Sequence, residues 1–109
     1  MKAAAQTGLP VSRACDLARV NDEQKWLIEE LWAEQAVGIL GGEPKCCKSF
    51  LALDMAVSVA SGAPCLRQFA VSRTGPVLIF PAEDSLSVVR ERLVGICHAA
   101  GTKLEALPI

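Results

Sequence analysis

Eight consecutive residues, Gly42-Glu43-Pro44-Lys45-Cys46-Cys47-Lys48-Ser49, concentrate the chemistry-bearing types of this 109-residue chain. They match the phosphate-loop pattern G-x-x-x-x-G-K-[ST] at Gly42, Lys48 and Ser49, and depart from it at Cys47. Each element has a physical role. A glycine-led loop turns successive backbone N–H groups inward and makes a concave nest for phosphate oxygens. A helix beginning near Lys48 adds the positive end of its dipole. The Lys48 ammonium would rest on the outer phosphates, and the Ser49 hydroxyl would ligate a Mg²⁺ bound with them. The binding stretch runs from Gly42 through Glu43, Pro44, Lys45, Cys46, Cys47, Lys48 and Ser49 to Phe50. Cys47 is the weak point, because glycine there lets backbone approach phosphate unobstructed. Cysteine fits if the local φ is negative and the thiol points off the ligand.

A second chemical feature is the acidic pair Glu83-Asp84. It directly follows the apolar run Val77-Leu78-Ile79-Phe80, and ligands of parallel α/β sheets bind beyond the strand C-termini. Glu83 there could orient and deprotonate a water attacking a terminal phosphate. Asp84 reads instead as a helix cap favoured by the N-terminal dipole. The sole histidine, His98, falls near a helix end, where a favourable charge or plain exposure explains it better than ligation.

These side chains need elements to hold them. The run 36–40 (AVGIL) is all apolar and ends in Gly41-Gly42, which predicts a buried strand and a turn. Residues 48–61 predict a helix with Gly62 as its stop, apolar on nearly every side except Asp54, Ser58 and Ser61. Gly75-Pro76 marks a turn, and 77–80 a second buried strand. Asp84 or Ser85 then caps a helix reaching about Ala100. Its Leu86, Val89, Leu93 and Ile96 recur at helical spacing, and Gly101 stops it. Strand, loop, helix repeated twice predicts an α/β fold with parallel strands and flanking helices. Residues 1–24 read as a leader with a short helix around 12–20. Residues 25–35 read as a packed approach segment whose Trp26 and Trp32 serve packing, since no basic residues interleave for base stacking.

Composition sets outer bounds. With 51% hydrophobic and 21% charged residues the chain reads as globular. No apolar run reaches the roughly 18 residues of a membrane span, and the longest, 50–60, is broken by Asp54. No secretory signal is visible, so a cytoplasmic location is expected. A net charge of −1 neither suggests nor excludes nucleic acid. The cysteines Cys15, Cys46, Cys47, Cys65 and Cys97 show no zinc spacing and read as free thiols.

The stretch 26–101 resembles bacterial AAA-family ATPases of the RepA-like helicase group, within the RecA-like branch of P-loop proteins. The parts that carry it are ILGGEPKCCKSFLALDMAVSVASG and VLIFPAEDS. The resemblance implies that Gly42, Lys48 and Ser49 bind ATP and Mg²⁺, and that Glu83 is the catalytic glutamate, acting with Lys48. It also implies work on DNA by a homo-oligomer. Such proteins continue through further strands with a second acidic motif, so 25–109 reads as the N-terminal, truncated part of an ATPase domain, and apolar surface should stand exposed. The alternatives are a non-catalytic nucleotide-binding or interaction module, or an inactive remnant.

Overall fold

The computed structural model describes residues 8–18, 25–44 and 47–109. Among them the fold is mixed α/β: two α-helices and a two-stranded antiparallel sheet, with short 3-10 turns at Ala14–Asp16 and Leu104–Ala106. Of the helix expected around 12–20, the Ala14–Asp16 turn is present, and 19–20 lie outside the described residues.

The first helix, α1 (Lys48–Ser61), begins and ends where the sequence placed it. Its interior is Leu, Ala, Met and Val with no glycine or proline, so nothing interrupts the turn-to-turn hydrogen bonds. Gly62 stops it with φ +86, a left-handed conformation that glycine adopts without a Cβ penalty, and its N–H donates to the Ser58 carbonyl. The second helix, α2 (Leu86–Ala100), ends the same way at Gly101, φ +76. The two helices form the core together: Leu53 and Val57 of α1 pack with Val89, Leu93 and Cys97 of α2. Ile79, Leu104, Leu107 and Ile109 close around this cluster.

Aspartate is rare on so apolar a helix, and Asp54 is satisfied by the loop that follows. Its Oδ2 accepts from the Leu66 N–H at 2.7 Å and from the Cys65 thiol at 3.3 Å. Leu66 and Arg67 both take positive φ (52 and 58), and Cys65 and Phe69 bond each other's backbones. Asp54 thus pins a tight turn made without glycine. Arg67 leaves it to donate to the Ala99 carbonyl, one of the last unpaired acceptors of α2.

The sheet is the principal departure from expectation. Its strands are β1 (Trp26–Ile28) and β2 (Trp32–Ala33), within the segment read as an approach region, and they pair antiparallel. Glu30 makes the reversal at φ +66. Aromatic and β-branched residues suit this pleated, half-buried surface. The opposite edge of β1 bridges to Val71, leaving Ile28 only 1% exposed. Both tryptophans are half-buried, as packing residues should be, and the Trp32 ring lies against Gly38 so closely that a Cβ there would meet it at 2.6 Å.

The parallel strands expected at 36–40 and 77–80 are not formed among the described residues. The reason is pairing. A strand exists only as part of a ladder, and neither run has a strand hydrogen-bonded beside it. Residues 77–80 still alternate as a sheet face does: Val77 and Ile79 turn inward, while Leu78 and Phe80 are 96% and 89% exposed. Val37 and Ile39 are also open to solvent. Exposed apolar surface was expected, and these four side chains carry much of it.

Candidate functional site

Residues 41–44 and Cys47 precede α1, whose N-terminal end is open. The first residues of an α-helix have N–H groups without intrahelical partners, and here no side chain caps them. Cys47 occupies the cap position but its thiol makes no capping bond. An anion is the natural partner for such a group of amides. Lys48 Nζ reaches back across the loop to donate to the Gly42 carbonyl at 3.2 Å, so the first and seventh residues of the motif are tied together. Lys45 and Cys46 lie outside the described residues.

Cys47 corrects one expectation. Its φ is +66 and ψ 18, the left-handed region, and not the negative φ under which cysteine would be unstrained. This is the conformation for which the pattern supplies glycine. A side chain there costs about 1–2 kcal/mol of backbone strain. The thiol is exposed and lines the same cavity as Lys48 and Ser49.

Two adjoining cavities, of about 340 and 450 Å³, share Lys48, Ser49, Glu83 and Asp84 in their walls. The first continues over Leu40 and Ile79 through Ala82, with α1 and α2 behind it. The second is completed by Pro44, Cys47, Phe50 and Arg92. Thus the loop motif and the acidic pair, more than thirty residues apart in the chain, face one space. Of the expected binding stretch, Pro44, Cys47, Lys48, Ser49 and Phe50 line it, and Gly42 joins through the lysine. Glu43 is exposed on the loop and lines neither cavity. Glu83 is exposed at the rim of both.

Asp84 behaves otherwise than its sequence suggests. Ser85 takes the cap of α2, accepting from the Val88 N–H at 3.4 Å with its own backbone extended. Asp84, one residue too early to cap, instead accepts from Arg92 Nη1 at 3.0 Å. The Arg92 guanidinium lies 4.9 Å from the centre of the Phe50 ring, within cation–π range. From the sequence, Arg90 and Arg92 both read as lying on the exposed face of this helix. The available signal was the spacing of Arg92: seven residues beyond the Ser85 cap, two helical turns along the same face. Arg90 is exposed as expected, and His98 lies exposed in the last turn of α2.

The donor set fits a magnesium–triphosphate. A cation, a hydroxyl and open helix amides meet the needs of the phosphates and of one metal ligand. Among the described residues no cluster of three or more His, Cys, Asp or Glu could hold a metal ion, and Ser49 is the residue that would ligate a phosphate-bound Mg²⁺. No described helix is long and apolar enough to cross a membrane.

A family model described as an AAA domain matches residues 5–108, nearly the whole chain. The chain therefore belongs to the AAA domain family, whose members are nucleotide-binding, ATPase-like proteins. No curated protein and no solved structure matches it.

Proposed function

We propose that this chain binds ATP in the space between Lys48-Ser49 and Glu83 and serves as the hydrolytic P-loop module, of RecA-like type, in a RepA-like ATPase. The observation that carries the reading is the shared cavity, which faces an uncapped helix N-terminus, a lysine and a hydroxyl toward a carboxylate. Lys48 leaves the Gly42 carbonyl for the outer phosphates, where a charge-assisted contact is stronger than a neutral one. The amides opening α1 hold phosphate oxygens. Mg²⁺, with Ser49 as its protein ligand, would neutralise charge on the phosphates. Glu83 takes the proton of the attacking water as the new P–O bond forms and the bond to the β–γ bridging oxygen breaks; ADP and phosphate leave.

Action on DNA, as a homo-oligomer in the cytoplasm, extends the reading by resemblance to the RepA-like group. A second reading has one specific observation behind it. The strained backbone at Cys47 favours a module that binds nucleotide without turning it over. Titration with ATP, followed by phosphate-release measurement with Mg²⁺ present, separates the two. ATP binding with steady phosphate release supports the hydrolytic module, and binding without release supports the second. A chain that binds no ATP at millimolar concentration overturns both.

A further inference from the structure

We propose that Arg92 is a positioning residue that neutralises Asp84 at the phosphate cavity, leaving Glu83 as the carboxylate there that has no ion pair among the described residues. The inference rests on the ATP reading above.

Glu83 and Asp84 are adjacent carboxylates on the wall of a cavity that would receive a polyanion. Two bare carboxylates beside a triphosphate repel it. Arg92 removes half of that charge. Its Nη1 is 3.0 Å from Asp84 Oδ2, and its side chain is only 29% exposed. The same guanidinium lies over Phe50, which stands in the first turn of α1 directly after Ser49. Arg92 therefore ties three cavity walls together: the acidic turn, α2, and the start of α1. A planar guanidinium can do both tasks at once, pairing at its edge and stacking on its face.

The geometry assigns different fates to the two neighbours. Asp84 is held by a cation and withdrawn from chemistry, whereas Glu83 has no ion pair among the described residues and lines the cavity beside Lys48 and Ser49. Removing Arg92 would free the Asp84 carboxylate to face the phosphates. Removing Asp84 as well would cancel that effect, because there would be no charge left to compensate.

The test is binding of a fluorescent ATP analogue with Mg²⁺ by the full chain, the Arg92→Met variant, and the Arg92→Met/Asp84→Asn double variant. Arg92→Met should weaken binding about tenfold, and the added Asp84→Asn should return it to within about threefold of the unaltered chain. A merely structural arginine would not be rescued by a second change, nor would one that touches phosphate itself. Full-strength binding by Arg92→Met, or a double variant as weak as the single one, overturns the assignment. If Arg92→Met loses its helical circular dichroism, Arg92→Lys decides. Binding within about threefold supports charge compensation, and a tenfold loss in that folded variant overturns it. Failure of the unaltered chain to bind the analogue is a separate result, and it removes the ATP reading itself.

Discussion

Lys48 and Gly42, the seventh and first residues of the motif, are joined by a 3.2 Å hydrogen bond from the lysine ammonium to the glycine carbonyl. The bond ties together two residues of the motif and holds the ammonium of a side chain that lines both cavities. A phosphate would compete with a neutral carbonyl for that ammonium, and the charged acceptor should win. Lys48→Ala should therefore weaken ATP binding by about 10- to 100-fold while leaving the helices intact, as read by calorimetry and circular dichroism. Unchanged affinity in that variant would remove Lys48 from the site.

Glu83 calls for the opposite signature. It is exposed at the rim of the cavities that Lys48 and Ser49 also line. Glu83→Gln should bind ATP at least as tightly, since it removes a negative charge facing the phosphates, and lower phosphate release by about 10²- to 10⁴-fold, the usual contribution of a general base. Normal hydrolysis by this variant would show that the proton goes elsewhere.

Cys47 allows a test of backbone strain. With φ at +66, replacement by glycine relieves the Cβ conflict but adds freedom to the unfolded chain. The first effect is larger, so Cys47→Gly should gain up to about 1 kcal/mol, visible as a melting temperature a few degrees higher. Tighter ATP binding should accompany it, since the amide would approach phosphate without a side chain. A lower melting temperature would mean that the thiol contributes packing that outweighs the strain.

The buried thiols make stability fall in alkali. Burial, then the hydrogen bond and charge of Asp54, push the Cys65 thiol from 9.0 up to about 11, and burial with Glu105 raises Cys97 in the same direction. A raised pKa means the folded state keeps its proton longer than the unfolded chain. The Cys65 contribution is thus complete below pH 9 and lost as pH climbs toward 11, by up to roughly 2–3 kcal/mol. Urea midpoints measured from pH 8 to 11 should decline, and Cys65→Ala should flatten the decline despite lowering stability at pH 8. An equally steep fall in that variant would assign the effect to other groups.

Much of the architecture was legible in the residues because its causes are local. Both helices follow from apolar spacing, helix-forming interiors, and glycines at 62 and 101 that alone accept the left-handed stop without strain. The cap was narrowed to Asp84 or Ser85, and the structure settled it on Ser85. The phosphate-loop pattern likewise is read from eight consecutive residues that run into one helix. What eluded sequence reading depends on partners distant in the chain. Apolar runs at 36–40 and 77–80 have strand composition, but a ladder needs a neighbour to accept its hydrogen bonds, and the pairing went instead to Trp26–Ile28 and Trp32–Ala33.

The sequence by itself determined the helices, their ends, and the lysine, serine and glutamate that could serve a triphosphate. Only the tertiary structure decided that loop and glutamate share one cavity, that Cys47 adopts a glycine's conformation, and that Asp84 pairs with Arg92 while Ser85 caps the helix. Helix propensity and capping act over a few neighbouring residues. Charge pairing, ladder formation and cavity walls depend on which distant segments the core brings together.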